Sequence, residues 1–320
     1  MVVEPAPACE ESKRGRVTVA EVFAADVAGS MSIIAKAPNS STSPPPSHLQ
    51  ATKEPIPLLH TPFGSTMHID QIMFGTCNTS KPTVIFVTGA WHQPHLYAPL
   101  LDGLKKTSFP VVAPSLPSVG GSSEDDFAHD VRVIRKAIAE EVAQGHEIIV
   151  LMHSYGGMVG SAAVQGYAKE EVRSGGGIIR MIYLTAFAMD VGLSLMDGLN
   201  GTPLPWFASA NAHQWAATNT SQIFYNDVDP SIADPLADEL DLQSKASFEA
   251  KQTYAAWKYI DSTYIVCELD NAIPKQAQVA MASQPGGKFT IEYLEAGHSP
   301  FLSMPQSTVE TIRKILWEPV

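Results

Sequence analysis

Cysteine is scarce in this sequence, and long uninterrupted apolar runs are absent. The three cysteines, Cys9, Cys77 and Cys267, are widely separated and odd in number, which argues against a disulfide framework and against a zinc site of the usual ligand spacing. The most apolar stretch near the N-terminus, residues 17–37, is interrupted by two acids and a lysine. It resembles neither a membrane span nor a signal peptide. We therefore expect a cytoplasmic protein without a cleaved targeting segment.

Positive charge is also in short supply. The chain has 21 Lys and Arg against 33 Asp and Glu, a net charge of −12, and its basic residues are scattered. Nucleic acids and anionic membranes are bound through basic surfaces, so we expect neither as a partner. No ligand cluster or phosphate-binding glycine loop is recognisable, and no metal or organic cofactor is expected. The sequence gives no indication of the oligomeric state.

The first part of the chain differs in composition from the rest. Residues 37–57 are rich in Pro and Ser and contain few large apolar side chains, which is typical of an extended linker. The sequence therefore predicts a poorly ordered arm and linker at 1–57 and one domain at 58–320. Residues 60–75 are predicted to form an antiparallel hairpin at a sheet edge.

From residue 83 onward, short β-branched runs alternate with longer helical patterns. Apolar residues spaced three and four apart over 124–145, with acids at the start and a glycine at the end, predict a helix. Further helices are predicted from 155, at 273–282 and at 308–317. Buried parallel strands are predicted at 83–89, 110–118, 147–154, 178–187, 262–270 and 288–296. This alternation predicts an α/β fold with a mainly parallel sheet and helices on both faces.

The alternation is interrupted at about residues 189–258, here called the insertion. The insertion contains helical fragments, several prolines and many aromatic residues. Ligands of such sheets bind beyond the carboxyl ends of the strands. Since the insertion leaves the sheet at one of those ends, it is predicted to be a helical lid over the binding crevice.

Ser154 lies where a predicted strand, "EIIVLMHS", meets a helix beginning "YGG". A serine on such a sharp turn can act as a nucleophile, and small residues two positions before and after it relieve crowding. Gly156 meets this requirement, but Met152 stands where glycine is usual. The alternative is that Ser154 is merely a helix N-cap.

Two further residues with suitable chemistry follow other strand ends. His298, in "EAGHSPFLS", can accept and return a proton near neutral pH. Asp270, in "CELDNAIP", could orient that imidazole and stabilise its charged form. Glu268, inside the predicted strand, and Asp190, after the strand that precedes the insertion, are the alternative acids. The order Ser, Asp, His at three strand ends favours the reading of Ser154 as a nucleophile.

An oxyanion hole is predicted beside this serine. Acyl transfer needs two backbone N–H groups directed at the developing negative oxygen. Tyr155 would supply one at the start of its helix, and Ala90, in the loop after the first core strand, would supply the other. Trp91, Trp206 and Phe207 are possible walls of the substrate pocket, or alternatively form the core of the insertion itself.

Together these segments resemble the α/β-hydrolase superfamily. The resemblance rests on "VTGAWHQPHLYAPLLDGL", "LMHSYGG", "CELDNAIP" and "EAGHSPFLS", and it extends from about residue 58 to the C-terminus. It is strongest for the small serine-esterase branch with plant methylesterases and hydroxynitrile lyases, and for fungal "HSYGG" members of secondary-metabolite pathways. It implies Ser154 as nucleophile, His298 as base and Asp270 as acid, with oxyanion donors Ala90 and Tyr155.

Two departures from the family pattern qualify the reading. Thr88 stands where the family often has a histidine that supports the oxyanion loop. Ser299 follows His298 where hydroxynitrile lyases have a lysine, which disfavours cyanohydrin lyase activity.

The sequence thus predicts a serine hydrolase acting on a carboxylic ester, lactone or thioester with an apolar portion. One alternative is an acyltransferase or cyclase that releases a polyketide-like chain. Another is a non-catalytic ligand receptor on the same fold.

Overall fold

The computed structural model describes residues 81–122, 124–173 and 175–317. The predicted arm at 1–57 and the predicted hairpin at 60–75 lie outside these residues. Within this part of the chain, no helix is both long and apolar enough to cross a lipid bilayer.

Nine strands are found in the described residues, six in a large sheet and three in a small one. In chain order they are β1 (Thr83–Val87), β2 (Val111–Val112), β3 (Glu147–His153), β4 (Gly177–Leu184), β5 (Phe207–Ser209), β6 (Gln214–Ala217), β7 (Gln243–Ser244), β8 (Ser262–Cys267) and β9 (Phe289–Leu294).

Ten α-helices connect or flank these strands in the same part of the chain. They are α1 (Ala98–Lys106), α2 (Phe127–Ala143), α3 (Gly156–Ala163), α4 (Leu195–Gly198), α5 (Thr220–Ile223), α6 (Pro230–Ala237), α7 (Lys245–Glu249), α8 (Lys275–Ala282), α9 (Pro300–Ser303) and α10 (Pro305–Trp317). Short 3-10 turns occupy Pro94–Tyr97 and Ala256–Lys258.

The large sheet has the order β2-β1-β3-β4-β8-β9, and all its neighbouring strands are parallel. The chain runs from β1 outward to β2, then returns to β3 and continues to β9. Because parallel crossovers are right-handed, this reversal places α1 on one face and α2 and α3 on the other. Helix α10 packs against α1, and α2 packs against α3. The mainly parallel sheet with helices on both faces is therefore confirmed.

The sequence patterns locate the strands well but overestimate the length of one of them. The segment predicted as a strand at 110–118 pairs with β1 only at Val111 and Val112. Pro110, Pro114 and Pro117 surround this pair, and proline has no N–H to continue a ladder. Helix α2 begins at Phe127, three residues after the predicted start, because Asp126 is its N-cap and its side chain accepts the N–H of His129 at 3.1 Å.

The insertion contains more than helices. Strands β5, β6 and β7 form a separate antiparallel sheet within it, and the sequence analysis did not predict them. These strands are two to four residues long, too short for an alternating pattern to identify. The four short helices α4 to α7 complete this segment.

The reversal of strand order lies between β1 and β3, so the chain segments that leave their carboxyl ends diverge around a crevice. Both strands are almost completely buried. Packing of these strands therefore fixes where the loops after Val87 and His153 begin.

Truncation of Ile149 tests the contribution of this strand packing to stability. Ile149 is fully buried on β3 between β1 and β4, so Ile149→Ala is expected to lower the free energy of unfolding by about 2–5 kcal/mol, and Ile149→Val by about 0.5–1.5 kcal/mol. Urea denaturation measures both. Ile232→Ala is the control, because this isoleucine is 48% exposed, and its effect should be within about 0.5 kcal/mol. Equal losses for the two alanine variants would contradict the assignment of Ile149 to the core.

Candidate active site

Ser154 occupies a strained turn between β3 and α3. Its φ angle is +53°, in the left-handed region that non-glycine residues rarely adopt outside functional sites. The carbonyl of Ser154 accepts the N–H groups of Gly157 at 3.1 Å and Phe187 at 3.0 Å, which hold the turn. The N-cap of α3 is Tyr155, with no side-chain capping bond. The alternative role of Ser154 as a helix N-cap is therefore wrong.

Close packing explains the small residues around this turn. A Cβ atom on Gly156 would lie 2.5 Å from the carbonyl oxygens of Val87 and Thr88, so only glycine fits there. The unusual Met152 is accommodated by a second glycine, because a Cβ atom on Gly160 would collide with its sulfur. Gly160 of helix α3 thus leaves the space that a glycine at position 152 would otherwise provide.

His298 and Asp270 form a buried pair. The imidazole Nδ1 lies 2.8 Å from Oδ2 of the carboxylate, and both residues are buried. The other carboxylate oxygen accepts the N–H groups of Ala272 at 2.7 Å and Ile273 at 2.9 Å, and the Thr185 hydroxyl donates to Oδ2. Because a carboxylate only accepts, Nδ1 carries the proton and Nε2 is left with its lone pair.

The two alternative acids are engaged elsewhere. Glu268 forms an ion pair with Lys275, and Asp190 lies 2.6 Å from the ammonium of Lys258. Strand β8 ends one residue before Glu268, so its expected place inside that strand is wrong. Asp270 is the acid that the structure places against the imidazole.

The loop that carries His298 also contacts the residue before Ser154. The Nε2–H of His153 donates to the carbonyl oxygen of His298 at 2.9 Å, and the two ring centroids are 4.6 Å apart. Within the described residues, the Ser154 hydroxyl and Nε2 of His298 have no hydrogen-bond partner, so they do not bond to each other. Such bonds often form only once a substrate is bound.

A chain of hydrogen bonds leads from His153 to the loop after β1. Because Nε2 of His153 donates, its Nδ1 must accept, and the Tyr97 hydroxyl donates to it at 2.9 Å. The same hydroxyl oxygen accepts the N–H of Gly89 at 3.0 Å. Burial, with the nearby His298 next in importance, holds the pKa of His153 well below its ordinary value.

The peptide between Ala90 and Trp91 is fixed at both of its polar atoms. Its carbonyl oxygen accepts Nδ1–H of His92 at 2.7 Å, and its N–H donates to Oε1 of Gln243 at 3.2 Å. Trp91 itself has a φ of +63°, so these contacts hold a second strained residue. Gln243 comes from the insertion, which therefore helps to shape this loop.

Two backbone N–H groups beside Ser154 are uncommitted. Ala90, Ser154 and Tyr155 line one cavity, and no group in the described ranges accepts the N–H of Ala90 or of Tyr155. Donors in this arrangement can stabilise a negative oxygen formed at an attacked carbonyl carbon. The structure thus brings the two predicted oxyanion donors to the predicted nucleophile.

The cavity is small and apolar, with about 20 Å³ open to the centre of a water molecule. Trp91, Trp206 and Phe207 all line it and also pack on one another, with ring centroids 4.5–5.4 Å apart. They are therefore placed both as cavity wall and as part of the aromatic core of the insertion. The remaining lining residues are the apolar Phe187, Leu195, Leu199, Leu204, Phe224, Phe248, Ala272 and Ile273.

Comparison with known proteins shows the family of this chain. Residues 84–311 match the model of the alpha/beta hydrolase family. The chain belongs to this family. It is 35% identical over 246 residues to the alpha/beta hydrolase nvfD of Aspergillus novofumigatus. The aligned region covers 75% of this chain and 98% of that relative. Methylesterase 10 of Arabidopsis thaliana is 25% identical over 256 residues, covering 72% and 90%.

Solved structures show the same fold. Polyneuridine aldehyde esterase superposes with a TM-score of 0.61 at 16% identity, covering 74% of this chain and 99% of the esterase. A pyrethroid hydrolase from Sphingobium faniae gives a TM-score of 0.60 at 23% identity, covering 74% and 98%. The expected α/β-hydrolase fold is thereby confirmed.

Several polar residues of this alpha/beta hydrolase site were not predicted. Thr185, Gln243 and Tyr97 come from three separate segments, and no spacing in the sequence links them to Ser154. His153 had a usable signal, since it is a polar residue at the end of a buried strand. Groups of three His, Cys, Asp or Glu side chains arranged to hold a metal ion are not found among the described residues.

The hydrogen bonds of His92 to the carbonyl oxygen of Ala90 and to the Tyr225 hydroxyl can be tested through the charge of its imidazole. Burial is the main reason that its pKa falls from 6.5 to about 4, and the Tyr225 hydroxyl, 3.0 Å from Nε2, favours the neutral ring. Because the unfolded chain binds the proton more readily, stability is complete above about pH 6.5 and is lost as the pH falls towards 4, by roughly 3 kcal/mol. ¹⁵N NMR of the imidazole between pH 4.5 and 8 should show no titration of His92 above pH 5.

Tyr225→Phe is the companion variant. Removing the hydroxyl that donates to the neutral ring should raise the pKa of His92. A wild-type His92 that titrates near pH 6.5 would contradict the proposed burial and hydrogen bonding.

Proposed function

We propose that this chain is a serine hydrolase that cleaves a carboxylic ester, lactone or thioester through an acyl-enzyme. The observation that carries the proposal is the strained turn of Ser154, which opens into the same cavity as the uncommitted N–H groups of Ala90 and Tyr155. The buried pair of His298 and Asp270 supplies the base and the acid.

In the first step, Nε2 of His298 takes the Ser154 proton as Oγ attacks the carbonyl carbon. The N–H groups of Ala90 and Tyr155 stabilise the resulting oxyanion. Asp270 stays ionised and stabilises the imidazolium that forms. The imidazolium then protonates the departing alcohol or thiol, and the carbonyl re-forms on Ser154 as an acyl-enzyme.

In the second step, the same imidazole removes a proton from water, whose oxygen attacks the acyl carbon. A second tetrahedral intermediate collapses and returns the proton to Ser154, releasing the carboxylic acid. Both steps need His298 neutral at the start. The Asp270 carboxylate accepts the Nδ1–H of His298 at 2.8 Å, which keeps the imidazole in the required tautomer.

The cavity lining supports a neutral, largely apolar substrate. No charged side chain lines the cavity within the described part of the chain, so a charged acyl group would lose its hydration without gaining a partner. Trp91, Trp206 and Phe207 are proposed to contact the apolar portion.

The similarity to a protein named as a methylesterase supports an ester in particular. Ser299, in the place of the lysine found in hydroxynitrile lyases, still argues against cyanohydrin cleavage. A place in secondary metabolism and a cytoplasmic location stay predictions from the sequence. Transfer of the acyl group to an acceptor other than water uses the same first step, and no observation favours it over hydrolysis.

Removal of the nucleophile is the most direct test. Ser154→Ala should abolish labelling by a fluorophosphonate probe and lower kcat for a neutral ester such as p-nitrophenyl butyrate by roughly 10⁴- to 10⁶-fold. Ser161→Ala is the matched control, since Ser161 is a buried serine on α3 whose hydroxyl bonds to Tyr183 at 2.6 Å. Wild-type protein that resists the probe, or a Ser154→Ala variant that labels normally, would refute the proposal.

The acid is tested separately. Asp270→Asn should lower kcat by roughly 10⁴-fold, because the amide favours the wrong imidazole tautomer. Asp190→Asn should leave kcat near the wild-type value, since Asp190 faces Lys258 rather than His298. If the Asp190 variant suffers the larger loss, the assignment of the acid is wrong.

A further inference from the structure

Asp130, on helix α2, is a fully buried carboxylate that forms no ion pair with any described residue. Its partners are neutral donors. Oδ1 accepts the backbone N–H of Ser118 at 2.9 Å, and Oδ2 accepts the Ser118 hydroxyl at 2.6 Å and the Tyr155 hydroxyl at 2.8 Å. Tyr155 is also the residue whose backbone N–H faces the cavity beside Ser154.

Hydrogen bonds from Ser118 also lead to the loop that contains Ala90 and Trp91. The amide nitrogen of Gln243 donates to the Ser118 hydroxyl at 2.8 Å and to the Ser247 hydroxyl at 2.7 Å. The amide oxygen of Gln243 accepts the N–H of Trp91 at 3.2 Å, next to Ala90. Asp130 therefore connects to Tyr155 directly and to the Ala90 loop through Ser118 and Gln243.

The direction of each hydrogen bond depends on the charge of Asp130. An ionised carboxylate accepts all three donors, so the Ser118 hydroxyl directs its proton to Asp130 and its lone pair to Gln243. This fixes the orientation of the Gln243 amide, with its oxygen towards Trp91. A protonated Asp130 would have to donate to one of the two hydroxyls, and that hydroxyl would lose its acceptor.

The charge of Asp130 is unfavourable for folding. Burial is the largest influence on its pKa and raises it from 3.8 to about 6, although the Ser118 and Tyr155 donors oppose the rise. Because the folded state binds this proton more tightly than the unfolded chain, the linked stability is present below about pH 4 and is lost as the pH rises through 6. Above about pH 6 the ionised carboxylate therefore accepts all three donors, although its charge lowers the stability of the fold.

Few charged groups act on this carboxylate. Asp126, on the same helix, raises its pKa further, and Tyr155, from the turn after β3, is the other titratable group beside it. Gln243 and Ser247 from the insertion and Ser118 from the loop after β2 are uncharged. Helix α3 and strand β1 contain no titratable residue, and the titratable residues of β3, at its two ends, form no bond with Asp130.

We propose that Asp130 is a positioning residue that fixes both halves of the oxyanion hole, through the Tyr155 hydroxyl on one side and through Ser118 and Gln243 on the other. This inference rests on the proposed hydrolase function. Asp130 touches neither the substrate cavity nor the reacting atoms, and it acts through the groups that do.

Asp130→Asn tests the proposal because the amide has nearly the same shape but only one oxygen, so it cannot accept the two hydroxyls and the N–H of Ser118 at the same time. At pH 8, kcat for the neutral ester should fall roughly 10- to 100-fold, as displaced catalytic groups commonly cause, with little change in KM. Affinity for a trifluoromethyl ketone, which forms an oxyanion on Ser154, should fall by a similar factor. Glu141→Gln is the control, since this hydrogen-bonded carboxylate lies on the same helix but bonds to Thr83 and His146.

The pH dependence separates positioning from a general structural role. Wild-type Asp130 becomes protonated below about pH 6 and then resembles the amide, whereas protonation of His298 affects both proteins alike. The ratio of wild-type to variant kcat should therefore shrink several-fold between pH 8 and pH 5. A ratio that stays constant, or an unchanged kcat in a folded Asp130→Asn protein, would overturn the proposal.

Two further variants make the test decisive if Asp130→Asn does not fold or if the proposed function is wrong. If Asp130→Asn does not fold, Ser118→Ala breaks the same path and should show the same loss of kcat and of ketone affinity, and a normal kcat would count against the proposal. Ser154→Ala is assayed in parallel. If it retains activity, the proposed function itself fails, whereas a defect confined to Ser154→Ala would refute only the role of Asp130.

Discussion

The backbone at Ser154 has to turn from a buried strand into a helix within two residues, with a left-handed φ of +53°. Strain of this kind persists only where the surroundings determine it. The Ser154 carbonyl is tied to Gly157 and to Phe187, and Gly156 lets the turn approach the carbonyl groups that end β1. The central strands, the loop after β4 and helix α3 must therefore all be in place before the serine can face the cavity.

Only one of three neighbouring histidines is paired with an acid. The rings of His92, His153 and His298 form a contiguous group. Burial and mutual repulsion lower the pKa values of His92 and His153, and each of these rings has both nitrogens engaged by neutral groups. Among these three, His298 is the histidine that bonds to a carboxylate.

The sequence was sufficient for the scaffold and for the residues with the clearest chemistry. Strands such as β3 and β8 are continuous apolar runs because both of their faces are covered, and such runs can be read without coordinates. Ser154, Asp270 and His298 were recognisable because each follows one of these runs. Because parallel strands end at the same edge of the sheet, the sequence also predicts that these three residues lie near one another.

The groups that hold these residues were much harder to predict. Gln243 and Trp91 are 152 positions apart, and neither residue type nor spacing indicates that they meet. Asp130 lies on the buried face of an amphipathic helix, but neither its residue type nor its position indicates which donors it meets there. Polar networks of this kind depend on tertiary packing, which hydrophobic periodicity does not report.

The insertion contributes to this packing as much as it covers the cavity. Tyr225 bonds to His92, Asp227 accepts the N–H of Gly297 at 2.7 Å, and Asn226 donates to the carbonyl oxygen of Leu269 at 2.9 Å. These three consecutive residues thus contact the loop after β1, the loop that carries His298 and the loop that carries Asp270. In the proposed hydrolase, a change in the insertion would therefore alter the geometry of the reacting groups as well as the shape of the cavity.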